Sequence, residues 1–310
     1  MNLPVMKIVF MGTPAFAVAS LDAILNAGFE VAAVVTSPDK PGGRGMRLQQ
    51  SEVKKYALAH HLHILQPTNL KSPDFHNQLR QFNPDIQVVV AFRMLPEAVW
   101  NMPPLGTINL HASLLPQYRG AAPINWAVIN GETETGVTTF KLKHEIDTGN
   151  ILLQEKVTIT ASDNAGSVHD KLMRTGASLL VRTLQGIRSG TIEEVHQETL
   201  TDGHDIRHAP KIFTEDCEIK WNEPTEKIHN LIRGLSPFPG AFSYLKSRRI
   251  KILESKPEIT KPAADPGIHI TDGKTFLKFA TPDGYIHILK LKPEGKGEMK
   301  TEDFLRGWRE

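Results

Sequence analysis

The amino-acid sequence predicts an α/β fold, in which a doubly wound, mainly parallel sheet is followed by a smaller, OB-like β-barrel domain. Two patterns predict it. In the first part of the chain, strand-like runs rich in Val, Ile and Ala alternate with helical stretches, which is typical of a parallel sheet covered on both faces. Towards the C-terminus, short strand-like segments follow one another with Gly and Pro between them, which is typical of a small barrel.

Nearly continuous apolar runs mark the strands of the first domain, and they lie at residues 7–11, 31–36, 86–91 and 107–111. The turn after the first run begins at Gly12. It contains neither the GxGxxG spacing of dinucleotide-binding folds nor a GxxxxGK[S/T] phosphate loop. The strand runs predict a Rossmann-like sheet, and the two missing motifs disfavour a nicotinamide- or ATP-dependent enzyme.

Two longer patterns complete the first domain. Residues 136–154 contain two strand-like runs joined by KHEIDTG, which predicts a hairpin with Asp147 at its tip. A helical pattern over residues 164–189 ends before Gly190, a residue suited to the left-handed conformation at a helix C-terminus.

The segment SPDKPGGRGMRLQQ, residues 37–50, follows the second strand. Its density of Gly and Pro predicts an irregular, mobile surface loop. Lys40, Arg44 and Arg47 have no acidic neighbour after Asp39, so the loop is attractive to phosphate. The alternative is an ordinary solvated crossover loop.

The C-terminal pattern begins with a helical piece near residues 224–233, and the strands that follow suggest a barrel of the oligonucleotide-binding (OB) type. Its aromatic residues either stack on nucleotides or, as is commoner in small barrels, fill the core. They are Trp221, Phe238, Phe242 and Tyr244.

The chain of 310 residues is long enough for two domains. The expected boundaries are an N-terminal domain over 1–195, a polar linker over 196–212 and the β-barrel domain over 213–310. The formal net charge of +2 does not by itself demand a nucleic-acid partner. From Arg207 onward, however, 19 Lys and Arg stand against 15 Asp and Glu, compared with 17 against 19 before it.

The composition of the chain excludes several classes of protein and several kinds of site. A hydrophobic content of 40% with 23% charged residues is typical of a globular protein. Cys217 is the one cysteine, which excludes a disulfide framework and a multi-thiolate zinc site. His60, His61 and His63 lack acidic or thiol partners at ligand spacing, so no metal is expected. No apolar run is long enough for a membrane span, and a cytoplasmic location is expected.

Three polar residues indicate chemistry at a carbonyl group. In the strand pattern TINLH, Asn109 and His111 alternate with apolar residues, so both side chains project from one face. The amide can donate to an oxyanion while the imidazole moves protons, and Asp147 can orient the ring. Open α/β sheets place ligands beyond the carboxyl ends of their strands, where this pair lies.

Other interpretations of these residues are structural. An Asn at a strand end often satisfies backbone groups, and a His near Pro is commonly just packed. A hydrolase triad built on Ser113 is disfavoured because the GxSxG nucleophile elbow is missing.

With these motifs in place, the chain resembles the methionyl-tRNA formyltransferase family over nearly its whole length. The segments that carry the resemblance are residues 12–14 (GTP), 38–45 (PDKPGGRG), 109–124 (NLHASLLPQYRGAAPI), 147–149 (DTG) and 236–242 (SPFPGAF). The resemblance implies transfer of a formyl group from 10-formyltetrahydrofolate to the α-amine of methionine on initiator tRNA. It also implies that no metal is needed and that a monomer acts.

The resemblance implies the site residues as well. The catalytic positions are Asn109, His111 and Asp147. Folate would contact Asp147 and a further set comprising Val89, Val90, Ala91, Phe92, Leu95, Ser113, Leu114, Leu115 and Pro116. The tRNA would contact the second domain and the cations Lys40, Arg44, Arg47, Arg248 and Arg249. Many members have Tyr-Gly at the positions of Phe92 and Arg93, and Gly at the position of Glu145.

Three rival functions remain open at this point. In the first, the formyl group goes to a small amine, such as a sugar nucleotide or glycinamide ribonucleotide. In the second, the enzyme hydrolyses formyltetrahydrofolate, with water as the acceptor. In the third, the protein binds tRNA without catalysis, which the intact trio of Asn109, His111 and Asp147 argues against.

Overall fold

The computed structural model describes residues 5–42, 47–201 and 205–308. The strands are β1 (Lys7–Gly12), β2 (Glu30–Val35), β3 (Lys40–Gly42), β4 (Arg47–Gln49), β5 (Ile64–Leu65), β6 (Ile86–Val90), β7 (Thr107–His111), β8 (Arg119–Gly120), β9 (Glu134–Lys141), β10 (Ile151–Thr158), β11 (His208–Ala209), β12 (Ala241–Leu245), β13 (Arg248–Ile259), β14 (His269–Thr271), β15 (Leu277–Thr281), β16 (Gly284–Pro293) and β17 (Met299–Lys300).

The α-helices are α1 (Ala15–Asn26), α2 (Glu52–Ala59), α3 (Pro73–Gln81), α4 (Glu97–Trp100), α5 (Pro123–Ile129), α6 (Ala165–Ser189), α7 (Thr225–Gly234) and α8 (Thr301–Arg306). Short 3₁₀ helices occupy Gln197–Leu200 and Glu215–Cys217. The helix predicted over residues 164–189 is confirmed as α6, and Gly190 follows it with a φ of 69°.

Seven strands form the main sheet, in the order β10-β9-β7-β6-β1-β2-β5. The pairs from β5 to β7 are parallel, and β9 runs antiparallel to β7. Every residue of β6 is buried, as expected of a strand covered on both faces. The predicted mainly parallel, doubly wound sheet is therefore confirmed, with the predicted hairpin of β9 and β10 at one edge.

The turn after β1 depends on the small side chain of Gly12. A Cβ there would lie 2.6 Å from Cβ of Ala17 and 3.0 Å from the carbonyl oxygen of Val90. Helix α1 therefore starts directly against the end of β1. This close approach explains the Gly in the GTP turn without any phosphate-binding role.

The prediction that residues 37–50 are irregular is wrong for residues 40–42 and 47–49. Strands β3 and β4 pair antiparallel, with Lys40 opposite Gln49. Pro41 fits such an isolated ribbon because its missing N–H costs nothing on an edge without a further strand. Residues 43–46, which include Arg44, lie outside the described residues.

The chain divides into two compact units. One comprises Met1–Gly120, Gly136–Val157 and Asp170–His208, and the other comprises Ala121–Thr135, Thr158–His169 and Ala209–Glu310. The second unit therefore includes two segments from the earlier part of the sequence. The boundaries expected from the sequence (1–195, 196–212 and 213–310) stay a prediction.

The second unit contains an antiparallel sheet in the order β12-β13-β16-β15-β14, with β17 beside β16. The register between β13 and β16 shifts near Glu254, which is typical of a β-bulge that bends a long strand. Its core includes Ile232 of α7, Phe279 of β15 and Ile286 of β16. The structure thus shows an antiparallel sheet in the C-terminal part of the chain, and its closure into an OB-like barrel stays a prediction.

Candidate active site

Strand β7 carries both Asn109 and His111, as the alternating pattern predicts. Asn109 lies between Val89 of β6 and Phe140 of β9 and is half-buried. Within the described ranges, its side-chain amide makes no hydrogen bond to protein. An amide at this depth without a protein partner is free to bind an oxygen atom of a ligand.

One ring nitrogen of His111 is hydrogen-bonded to the protein, and the other makes no hydrogen bond to a described residue. Its side chain is buried, and Nε2 lies 2.9 Å from the carbonyl oxygen of Tyr118. Because a carbonyl oxygen only accepts, Nε2 carries the hydrogen of this bond. Nδ1 lies 3.9 Å from Oδ2 of Asp147, which is ion-pair range but longer than a hydrogen bond. Nδ1 is therefore the nitrogen left for a reacting group.

Asp147 lies in the loop between β9 and β10, residues 142–150, which is named here the Asp147 loop. Its Oδ2 accepts a hydrogen bond of 3.0 Å from the backbone N–H of Gly120. Its backbone is left-handed, with a φ of 55°, a conformation that Asp tolerates better than most residues. The structure thus brings Asp147 to His111, as the predicted hairpin requires.

The turn after β7 is fixed by buried hydrogen bonds to Thr138 of β9. Thr138 Oγ1 donates to the carbonyl oxygen of Ser113 (2.7 Å) and accepts from the N–H of Leu115 (3.1 Å). Gln154 Nε2 donates to the carbonyl oxygen of Leu115 (2.7 Å), and the bond between Leu115 and Pro116 is cis. The SLLP segment is therefore one rigid turn next to His111.

Four of the residues predicted for folate belong to, or pack against, two apolar clusters. The first contains Val89 and Leu95, with Phe92 packed against it. The second contains Leu115, Phe140 and Ile151, and Leu142 of the Asp147 loop packs against both clusters. The remaining members are the buried Val90, Ser113 and Pro116, the half-buried Leu114 and the exposed Ala91.

Arg93, one of the residues that depart from the family pattern, fastens the segment after β6. Its guanidinium donates to the carbonyl oxygens of Pro67 and Thr68 and lies 5.6 Å from the ring centre of Phe92. Partial burial lowers the pKa of Arg93. The segment that contains Phe92 is therefore tied to the chain after β5.

The cations predicted to contact tRNA differ in their exposure and in their contacts with the rest of the protein. Lys40 on β3 and Arg248 at the start of β13 are exposed. Arg249 lies 3.7 Å from the ring centre of Phe242, and its buried Nε makes no hydrogen bond to any residue that the structure describes. Arg47 begins β4, and Arg44 lies outside the described residues.

The sequence reasoning missed the residues that hold this site in shape. Thr138 and Gln154 fix the SLLP turn, and Gln197 and Arg119 are linked to the Asp147 loop. The one usable signal was Gln154, a polar residue within the apolar run ILLQ. Buried amides and hydroxyls of this kind need partners that local sequence does not reveal.

Two further properties of the described residues concern metal binding and membrane insertion. No group of three or more His, Cys, Asp or Glu is arranged to hold a metal ion in residues 5–42, 47–201 and 205–308. In the same ranges, no helix has both the length and the apolar character needed to cross a membrane.

Two family profiles match the sequence, one described as "Formyl transferase" over residues 6–184 and one as "Formyl transferase, C-terminal domain" over residues 211–309. Among curated proteins, the chain is 52% identical to the methionyl-tRNA formyltransferase of Bacteroides fragilis, covering 98% of this chain and 95% of that protein. It is 47% identical to the protein of the same name from Flavobacterium johnsoniae, covering 97% and 96%.

Solved structures share the fold at lower identity. An N-formyltransferase from Helicobacter canadensis, in complex with folinic acid and dTDP-3-aminofucose, superposes with a TM-score of 0.67 at 22% identity, covering 91% of this chain and 98% of that one. HypX from Aquifex aeolicus, in complex with tetrahydrofolic acid, has a TM-score of 0.66 at 17% identity. The match covers 97% of this chain and about half (47%) of HypX. Because two profiles of the family match and a curated relative is 52% identical over nearly the whole sequence, this chain belongs to the formyl transferase family.

Proposed function

We propose that this protein transfers the formyl group of 10-formyltetrahydrofolate to the α-amino group of methionine on initiator tRNA. The observation that carries the proposal is the approach of Asp147 to His111 at the end of β7, two residues beyond Asn109, whose side-chain amide bonds to none of the described residues. These groups supply an oxyanion donor, a cation and a proton acceptor, which an acyl transfer to an amine requires.

The reaction uses the free atoms of the site. The amine nitrogen attacks the formyl carbon, and the carbonyl electron pair moves onto oxygen. The Asn109 amide and a protonated Nδ1 of His111 stabilise that oxyanion. Oδ1 of Asp147, which accepts no hydrogen bond from the described residues, takes the amine proton directly or through water. When the tetrahedral intermediate collapses, the bond to N10 of the folate breaks and N10 receives the proton.

We assign the folate to the apolar clusters around Leu142, between the β6 end and the SLLP turn. Val89, Leu95 and Leu115 are buried members of these clusters, and Phe92, which packs against the first cluster, is half-exposed. Ligand sites in open α/β sheets are found beyond the carboxyl ends of the strands, which supports this assignment.

We assign the tRNA to the exposed cations Lys40 and Arg248, together with Arg44, Arg47 and Arg249. The C-terminal part of the sequence is the more basic part, which suits a phosphate backbone. We further propose that the antiparallel sheet closes into an OB-like barrel, that residues 196–212 connect the catalytic and tRNA-binding domains, and that the enzyme works as a cytoplasmic monomer.

A direct assay tests the acceptor. The purified protein is incubated with 10-formyltetrahydrofolate and methionyl initiator tRNA, and the amino acid is analysed after deacylation. Formylmethionine is expected, with tetrahydrofolate released only when the charged tRNA is present. Uncharged tRNA is the matched control, since it offers the same phosphates without the amine.

Parallel reactions separate the rivals. Transfer to an amino-sugar nucleotide or to glycinamide ribonucleotide, but not to the charged tRNA, would assign the enzyme to small amines. Formate released at the same rate without any acceptor would identify a hydrolase. Binding of tRNA with no turnover of folate would identify a non-catalytic protein.

A further inference from the structure

A buried glutamine outside the catalytic trio contacts the Asp147 loop directly. Gln197 is 3% exposed and is the first residue of the 3₁₀ helix Gln197–Leu200. Its Nε2 donates to the carbonyl oxygens of Asp147 and Gly149, both at 2.8 Å. The two donors of one amide group are thus used on two backbone positions of the same loop.

The oxygen of the same amide accepts hydrogen bonds from an arginine. Nε and Nη2 of Arg119 donate to Oε1 of Gln197 at 3.0 Å and 2.7 Å. Arg119 makes no ion pair within the described part of the chain, so its charge acts on this neutral amide. Hydrogen bonds to charged groups are stronger than neutral ones. The amide of Gln197 is therefore fully bonded and has one orientation.

The backbone also fixes where Gln197 lies. Val195 and Ile151 exchange two backbone hydrogen bonds of 2.8 and 2.9 Å, so the chain just before Gln197 is paired to the start of β10. Gly120, the neighbour of Arg119, donates its N–H to Oδ2 of Asp147. Gly120 therefore contacts the carboxylate of Asp147 directly, and Arg119 acts on the Asp147 carbonyl oxygen through Gln197.

The loop needs such support. Asp147 has a positive φ, and a Cβ on Gly149 would overlap the carbonyl oxygen of Lys141. Left-handed backbone at a residue other than Gly persists only where the surroundings hold it. The bonds from Gln197 reach both sides of this strained stretch and so fix the direction in which the Asp147 carboxylate leaves the backbone.

We propose that Gln197, held by Arg119, is a positioning residue for formyl transfer that sets the carboxylate of Asp147 relative to His111. Gln197 touches no reacting atom and acts through Asp147. The inference rests on the proposed function, because it assumes that Asp147 takes the amine proton.

Single-turnover formyl transfer at saturating substrates tests it with the variants Gln197→Ala and Gln197→Glu. A misplaced catalytic group costs on the order of 10- to 100-fold, so both variants should lower the rate constant by that factor. The KM for the charged tRNA should stay within about twofold, since the cations assigned to tRNA lie outside the Asp147 loop. Glu keeps the contact to Arg119 but cannot donate to the two carbonyl oxygens. A Glu variant as fast as wild type would overturn the proposal.

A double-mutant cycle separates positioning from general damage. In an Asp147→Asn background, Gln197→Ala should change the rate by less than about threefold, because the carboxylate that Gln197 positions is already absent. An undiminished effect in that background would overturn the proposal. Glu198→Ala, an exposed position in the same 3₁₀ helix, is the matched control and should keep the wild-type rate. If Gln197→Ala does not fold, the cycle is run with Gln197→Glu.

The outcomes also distinguish this inference from the proposed function. If Asp147→Asn is slow while both Gln197 variants keep the wild-type rate, only the role of Gln197 is wrong. If Asp147→Asn itself is as fast as wild type, the proposed role of Asp147 fails, and the inference with it.

Discussion

His111 lies between two residues whose backbones are left-handed. Tyr118, whose carbonyl oxygen accepts from Nε2, has a φ of 60°, and Asp147, which faces Nδ1, has a φ of 55°. Residues other than Gly in this region cluster at functional sites, where the surrounding fold maintains the strain. The orientation of the imidazole therefore depends on two unusual backbone conformations as well as on its own strand.

The Asn109 side chain offers the clearest prediction at this scale. Asn109→Ala removes one preorganised oxyanion donor, which typically lowers kcat by about 10²–10³-fold. Single-turnover kinetics with saturating formyl donor and charged tRNA measure the loss. Asn101→Ala is the control, because this Asn is exposed at the end of α4. A rate constant within about threefold of wild type would exclude the oxyanion role.

Helix α7 shows how one element depends on another within the second unit. Its N-cap is Pro224, which has no side-chain acceptor, so the first helical N–H needs a partner from elsewhere. Oδ1 of Asp283, in the turn between β15 and β16, accepts from the N–H of Thr225 (2.8 Å) and from its hydroxyl (2.7 Å). The cap of this helix is therefore supplied by the sheet on which the helix packs.

Asp283→Ala should lower the free energy of unfolding by about 1 kcal/mol, the usual cost of losing a helix cap. Urea unfolding followed by tryptophan fluorescence checks this value. Asp265→Ala is the matched control, because Asp265 is exposed and its side chain makes no hydrogen bond within the described ranges. Equal midpoints for the two variants would contradict the capping role.

The same carboxylate gives a pH dependence. The hydrogen bonds from the Thr225 N–H and hydroxyl lower the pKa of Asp283 below its unfolded value. Its stabilising contribution is therefore complete above the unfolded pKa of about 3.9 and is lost as the pH falls through the lower, folded pKa. The difference between wild type and Asp283→Ala should be the same at pH 7 and pH 5 and should shrink in acid below the unfolded pKa. A difference that grows on acidification would have the wrong sign.

At the scale of the whole molecule, the excess of cations is small and unevenly distributed along the chain. The formal net charge is only +2, while residues from Arg207 onward carry more Lys and Arg than Asp and Glu. Arg248 is exposed, and Arg249 stacks on the ring of Phe242. Arg249 therefore has a packing role in addition to any contact with a polyanion, so Arg248 is the position where a change of charge alone can be tested.

Salt titration of tRNA binding tests whether Arg248 contacts a phosphate. Arg248→Ala should weaken binding and reduce the slope of log K against log salt by about one, the contribution of one phosphate contact. Arg80→Ala removes the same charge from helix α3 of the first unit and should leave the slope unchanged. Equal slopes for wild type and Arg248→Ala would remove Arg248 from the tRNA surface.

The local sequence pattern determined the strands that carry the site. The runs at 7–11, 86–91 and 107–111 correspond to β1, β6 and β7, and the alternation in TINLH placed Asn109 and His111 on one strand face. These predictions succeeded because burial repeats with the period of the strand, which neighbouring residues alone reveal. The pairing of β3 with β4 was missed, since Gly and Pro usually indicate irregular loops.

The sequence by itself also determined the family, through motifs such as SLLPQYRGAAPI, and it identified Asp147 as a candidate. Only the tertiary structure decided that Nδ1 of His111 faces Asp147, that Gln197 holds the loop, and that Asp283 caps α7. These contacts join residues far apart in the chain. They depend on strand order and on the path of each loop, and hydrophobic periodicity carries no information about which distant polar groups meet.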